Sequence, residues 1–197
     1  MTSEYASIRT NAVSFPMKGS ITLFLVAIVF VASCAHRAPH YDNPSAFVEA
    51  FYRDYPRHLL GGLPQGGELR WMRPRVSDRL YDTFMATLQY QREWIARHPD
   101  EPSPDGGPPV RYKPPFAEGV PFDGSPDGHT SFKVVNATQI APDTWHVRIH
   151  FLLDPSLAGW EHTVVVKSER GRYVLDDVLY EDPPARLSGI LATRDPE

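Results

Sequence analysis

The chain has 197 residues, 42% of them hydrophobic, and a net charge of −4 from 24 acidic and 20 basic side chains. That length allows one ordinary domain plus a leader. The mild acidity, with no run of Lys or Arg, argues against nucleic acid as a partner, and a single cysteine, Cys34, excludes an internal disulfide.

From Met17 the chain reads MKGSITLFLVAIVFVASC: one lysine, an apolar run from Ile21 to Ala32, a small residue and Cys34. A charged start followed by a short apolar stretch is the pattern of a secretory signal peptide. The run falls short of the roughly 20 residues that span a bilayer. Met1 to Pro16 carry Glu4 and lie far from the apolar run, which points to Met17 as the true start. Val31-Ala32-Ser33-Cys34 resembles the lipobox of bacterial lipoproteins. The resemblance implies cleavage before Cys34, acylation of its thiol and attachment to a membrane through the acyl chains, with residues 1–33 removed. Alanine rather than aspartate at position 35 resembles the pattern that sorts such proteins to the outer membrane, with the domain facing the periplasm. Glu4, Arg9 and Lys18 leave with the leader, so the mature chain is slightly more acidic than the whole. The mature domain is expected to gain no electrostatic help from anionic lipid, so membrane attachment rests on the acyl chains.

Residues 34–42 read as a polar tether, 43–192 as the domain and 193–197 as a tail. Asn43 is a good N-cap and Pro44 suits a first helical position. Phe47, Ala50, Phe51 and Tyr55 then form an apolar stripe that ends close to Pro56. Leu59 to Gly67 is rich in glycine and reads as loop. A second helix is predicted from Ser77 to about His98, with Leu80, Phe84, Leu88, Gln91 and Ile95 on one stripe and Tyr81, Met85 and Trp94 widening it. Pro99 to Gly128 is too punctuated by proline and glycine for a long helix or a central strand. Four strands follow, at Thr130 to Ile140, Trp145 to Leu153, His162 to Ser168 and Arg172 to Tyr180, with short turn signals between them. Helices followed by an antiparallel meander indicate an α+β domain with helices packed on one sheet face.

Three places could carry chemistry. Asp123, Ser125, Asp127 and Gly128 occupy positions one, three, five and six of a calcium loop, but position twelve is Val134 where a bidentate glutamate belongs. Tight turns account for the same residues. On the second strand, alternation sets Trp145, Val147, Ile149 and Phe151 against His146, Arg148 and His150. Those two histidines with His162 could offer zinc three imidazoles, although Arg148 between them opposes a cation and a wet polar face or an interface accounts for them without a metal. In the last strand, alternation from Tyr173 and Leu175 turns Asp177 inward unless a bulge intervenes. A buried carboxylate there is either a general base or simply hydrogen-bonded inside the domain. No nucleophile elbow and no phosphate-cradling glycine loop occur, and no cofactor is expected.

The stretch PFDGSPDGHTSFKVVNATQIAPDTWHVRIHF, the TVVVKSERGRYVLDDV strand pair and the early FVEAFYRDY helix occur in that order. Together they resemble a family of uncharacterised bacterial lipoprotein domains, the YbjP-like domains. The matching positions are Pro121, Phe122, Asp123, Tyr173, Leu175, Asp176, Asp177 and Val178, with Tyr173 where the family usually has tryptophan. The resemblance covers about residues 45 to 192 and implies a cone-shaped fold like nuclear transport factor 2, also called cystatin-like, with helices packed into a curved sheet. Some members of that superfamily are dehydratases or isomerases with an Asp/His pair, and many only bind, so fold does not settle function.

The expected function is therefore a lipid-anchored envelope protein whose domain binds a protein partner or small ligand without catalysis, with Asp123, Asp127, His129 and Asp177 as candidate binding residues. An inhibitor or immunity lipoprotein against an envelope-targeted toxin is one form of that reading. The alternative is a small cone-fold enzyme (dehydratase, isomerase or hydrolase) using Asp177 with a histidine such as His129.

Overall fold

Helix α1, Pro44–His58, begins where the sequence directs it, with the Asn43 side chain accepting from the Ala46 amide at 2.9 Å. In this computed structural model, residues 40–58, 62–117, 122–125, 128–154 and 156–194 are described. Phe47, Phe51 and Tyr55 are buried as their spacing requires, and Tyr52 and Val48 join them. Each large apolar side chain removed from water stabilises by about 1.5–3 kcal/mol. As Pro56 indicated, α1 ends close by, at His58.

Helix α2, Gly66–Met72, was not predicted. Seven residues are too few to show a period against two leading glycines. Its start is nevertheless written in the chain, because Gln65 and Glu68 form a capping box. Helix α3, Asp78–Arg97, is capped by Ser77, whose hydroxyl accepts from the Leu80 amide at 3.1 Å. Leu80, Phe84, Leu88 and Gln91 are buried as expected, but Met85 and Ile95 are exposed. The packed face is thus narrower than the apolar composition of the helix suggested.

Strands β1 (Ser131–Ala141), β2 (Thr144–Leu152), β3 (Trp160–Glu169), β4 (Arg172–Tyr180) and β5 (Ala185–Arg186) form one antiparallel sheet in sequence order. Helix α4, Leu187–Ala192, follows directly and packs on α3 and β4. β5 and α4 were both missed, each being too short for a periodic signal. The fold class is α+β, as the sequence indicated. The domain, Pro39–Glu197, has one hydrophobic core between α1, α2 and α3 and one face of the sheet. That face carries Val147, Ile149 and Phe151 of β2, Val164 and Val166 of β3, and Leu175 and Val178 of β4.

The last pair reports a register change. Val165 pairs with Asp177 and Val166 with Leu175, so a bulge at Asp176 puts Val178 in the core with Leu175. Simple alternation had turned Asp177 inward beside Leu175. The bulge overrules that by shifting the period of two. The exposed edge of β4 is covered twice: β5 pairs with Leu179 and Tyr180, and the turn before α3 pairs with Leu175. There, Leu175 N–H donates to the Arg75 carbonyl and the Ser77 amide donates to the Leu175 carbonyl, both at 2.9 Å. Among the described residues no helix is long and apolar enough to cross a membrane.

Candidate functional site

The chemistry-bearing side chains gather at one end of the sheet's core face. Direct pairing sets Phe132 of β1 beside Phe151 of β2, Phe151 beside Trp160 of β3, Ile149 beside His162, and His162 beside Tyr180 of β4. The segment carrying Phe122, Asp123 and Gly124 lies over this aromatic row, against Tyr52 and Tyr55 of α1. Tyr52 Oη donates to the Phe122 carbonyl at 2.8 Å, and the Phe122 amide reaches Tyr55 Oη at 3.5 Å. Burial raises the pKa of both phenols well above the usual value, so they stay neutral donors and acceptors.

Asp123 is the hub. Its Oδ2 accepts from His129 Nδ1 at 2.8 Å, and its Oδ1 accepts from the Ser125 amide at 3.2 Å. Its backbone carbonyl accepts from Trp160 Nε1 at 2.8 Å and His162 Nε2 at 2.9 Å. The side chains of His129 and Asp123 are 3% and 1% exposed. Aromatic rings surround the imidazole: Tyr52, Tyr55, Phe132 and Phe151 all have centroids within 6.5 Å of it. The pair therefore has the carboxylate-oriented imidazole of an acid–base dyad, yet it is enclosed by core.

His162 sits under the same loop. A carbonyl only accepts, so Nε2 carries the hydrogen and Nδ1 is the bare nitrogen. That Nδ1 is buried and, among the described residues, without a hydrogen-bond partner. Burial lowers the His162 pKa from 6.5, and the Asp123 carbonyl opposes the shift without overcoming it. Tyr180, edge-on to the ring at 4.7 Å, has its phenol pKa raised by burial. Gly124 is required at this approach: its φ is +70°, and a Cβ there would stand 2.6 Å from His162 Nε2.

The calcium reading meets a different geometry. Both Asp123 carboxylate oxygens are taken by His129 and the Ser125 amide, and Asp127 lies outside the described residues. The Gly128 amide donates to the Ser125 carbonyl at 3.2 Å, the closure of a turn. The zinc reading fails on register. His162 pairs with Ile149 on the core face, whereas His146 and His150 face the other way. Arg148 and His150 instead meet Glu161 there, with Arg148 also reaching Glu181.

Asp177 is held by backbone and side chain. Its Oδ1 accepts from the amides of Val178 and Ser188, both at 3.0 Å, and its Oδ2 from Ser188 Oγ at 2.6 Å. Arg79 lies 3.4 Å from Oδ2. Ser188 is the second residue of α4, so Asp177 satisfies an amide donor that the start of that helix leaves open. Among the described residues its only ionic partner is Arg79, and His129 belongs to Asp123 instead. The neighbouring Asp176 has the opposite balance to a buried acid: burial pushes its pKa up, but hydrogen bonds from Arg79 and Ser77 hold it below 3.8.

Cys34 and the whole leader lie outside the described residues. Sequence reasoning named Asp123, His129 and Asp177 but not their partners Ser188, Trp160 and Tyr52, and it named His162 only as a candidate zinc ligand; these residues come from elements far apart in the chain. The available signal was the aromatic content of α1. Comparison with family models, curated proteins and solved structures returned no match.

Proposed function

We propose that the protein is a lipid-anchored component of the bacterial envelope, attached through Cys34, whose domain binds a partner or ligand and does no chemistry. In this reading the domain is YbjP-like and takes the cone form of nuclear transport factor 2. It faces the periplasm from the outer membrane. The observation that carries the non-catalytic part is the commitment of every sequence-nominated acid and base within the described residues to the fold. Asp177 holds the start of α4, and Asp123 with His129 closes a loop beneath which little of either side chain reaches water. A general acid or base must come within hydrogen-bond reach of a substrate proton.

The pair at 2.8 Å favours one second reading, a small cone-fold enzyme that opens the loop over Asp123 and His129. The two readings separate on cross-linking in intact cells followed by purification of the full lipidated chain. A discrete envelope partner that persists when His129 is replaced by Asn supports binding. Recovery of no partner, together with turnover that vanishes in His129→Asn, supports the enzyme.

A further inference from the structure

No run of basic residues occurs in the sequence, but folding collects arginines from separate elements beside the point where the tether enters the domain. Tyr41 packs edge-on against Phe47, 5.5 Å between ring centres, which fixes that entry point. The Arg75 guanidinium acts on the Tyr41 hydroxyl and lies over the Trp71 ring. In the same turn Arg73 reaches Asp78 at 2.7 Å, and Arg170, at the tip of the β3–β4 hairpin, reaches the other oxygen of Asp78 at 3.0 Å. Arg172 acts on that same carboxylate, and Arg70 is exposed one turn before Arg73. One shared carboxylate thus serves three guanidiniums. Asp42 beside Tyr41, Asp54 near it and Glu169 across the hairpin from Arg172 are further acids here, while Asp176 and Asp177 are matched by Arg79 and Lys167. Five guanidiniums, those of Arg70, Arg73, Arg75, Arg170 and Arg172, thus stand against the four carboxylates of Asp42, Asp54, Asp78 and Glu169, on a chain whose net charge is −4.

Arg170 is 77% exposed and has φ of +52°, followed by Gly171 at +73°. Two left-handed residues make the tight hairpin turn that Asn-Gly fills with least strain. Here a guanidinium is presented outward at the strained position instead.

We propose that this arginine face lies against the anionic headgroups of the membrane to which Cys34 is tethered. The inference rests on the reading of Cys34 as the lipid anchor. Cys34 precedes Tyr41 by seven residues, which span at most about 25 Å, so the anchor holds this end of the domain close to the bilayer. The acyl chains supply attachment, and the arginines set which end of the domain faces the lipid, each worth about a fivefold preference for an anionic surface.

The test exploits the single cysteine. The chain from Cys34 onward, which contains the complete core, is coupled through Cys34 to maleimide-bearing lipid in vesicles, either all phosphatidylcholine or one-third phosphatidylglycerol. Amide exchange in residues 70–77 and 168–173 is then followed by mass spectrometry. On anionic vesicles these amides exchange at least about fivefold more slowly than on neutral ones, the effect of one guanidinium contact, and 0.5 M salt removes the difference. The Arg170→Gln, Arg172→Gln double variant loses the protection with its thermal midpoint kept. Arg111→Gln keeps it, because Arg111 pairs with Asp100 beyond the far end of α3, a helix of 20 residues and so about 30 Å long. Equal exchange on the two vesicle types, or protection that survives the double variant, overturns the proposal. The chemical anchor makes the outcome independent of acylation in the cell, so failure of the lipoprotein reading shows separately, as an unmodified Cys34.

Discussion

Asp123 satisfies four hydrogen-bond donors with one residue, and the loop it closes depends on a glycine beside it. Gly124→Ala sets a methyl against His162 Nε2 in a left-handed conformation, so a loss of about 3 kcal/mol is expected from strain plus overpacking. Urea denaturation reads this directly, and a loss under 1 kcal/mol would mean the loop does not pack as described. His162 predicts a pH dependence with a defined sign. Its folded pKa lies below 6.5, so the unfolded chain takes up a proton that the fold resists. Its contribution is fully present above 6.5 and declines as pH falls below that value. The urea midpoint should drop between pH 7.5 and pH 5, and His162→Gln, which keeps an amide donor, should reduce that drop. At this scale the sequence named Asp123 and His129 as candidates because Asp and His in a turn are conspicuous. It could not pair them, since an unpatterned loop leaves the direction of both side chains open.

Elements were readable where they were long enough to repeat. Helices α1 and α3 announce themselves by caps and stripes, and four strands by alternation and turn residues. Helices α2 and α4 and strand β5 have two to seven residues each, below one or two periods of any pattern. The bulge at Asp176 was invisible for a related reason: one inserted residue changes every later facing without changing composition. That insertion delivers Asp177 to the start of α4. Asp177→Ala should therefore cost about 2–4 kcal/mol, from the lost cap and the buried groups it leaves unpaired, with α4 amides exchanging faster than the rest of the domain. Ser188→Ala, which removes a single hydrogen bond, should cost about 1 kcal/mol. A general base at this position would give the reverse result, a stable protein with lost activity.

For the whole molecule the helix-then-meander order sufficed for an α+β domain, because each element has one apolar face and those faces can share one core. The choice between binding and catalysis was not readable, because it depends on whether acids and bases reach solvent. That in turn is decided by contacts such as Trp160 to Asp123 across 37 positions. The proposed localisation, by contrast, rests on a short linear signal that needs no fold. The central claim is a membrane-anchored domain, and intact-mass spectrometry of the chain extracted from bacterial membranes tests it most directly. The account predicts a polypeptide beginning at Cys34 and carrying a thioether-linked diacylglycerol, with Cys34→Ala producing an unacylated chain. A chain that retains residues before Cys34, or begins there with a free thiol, contradicts it.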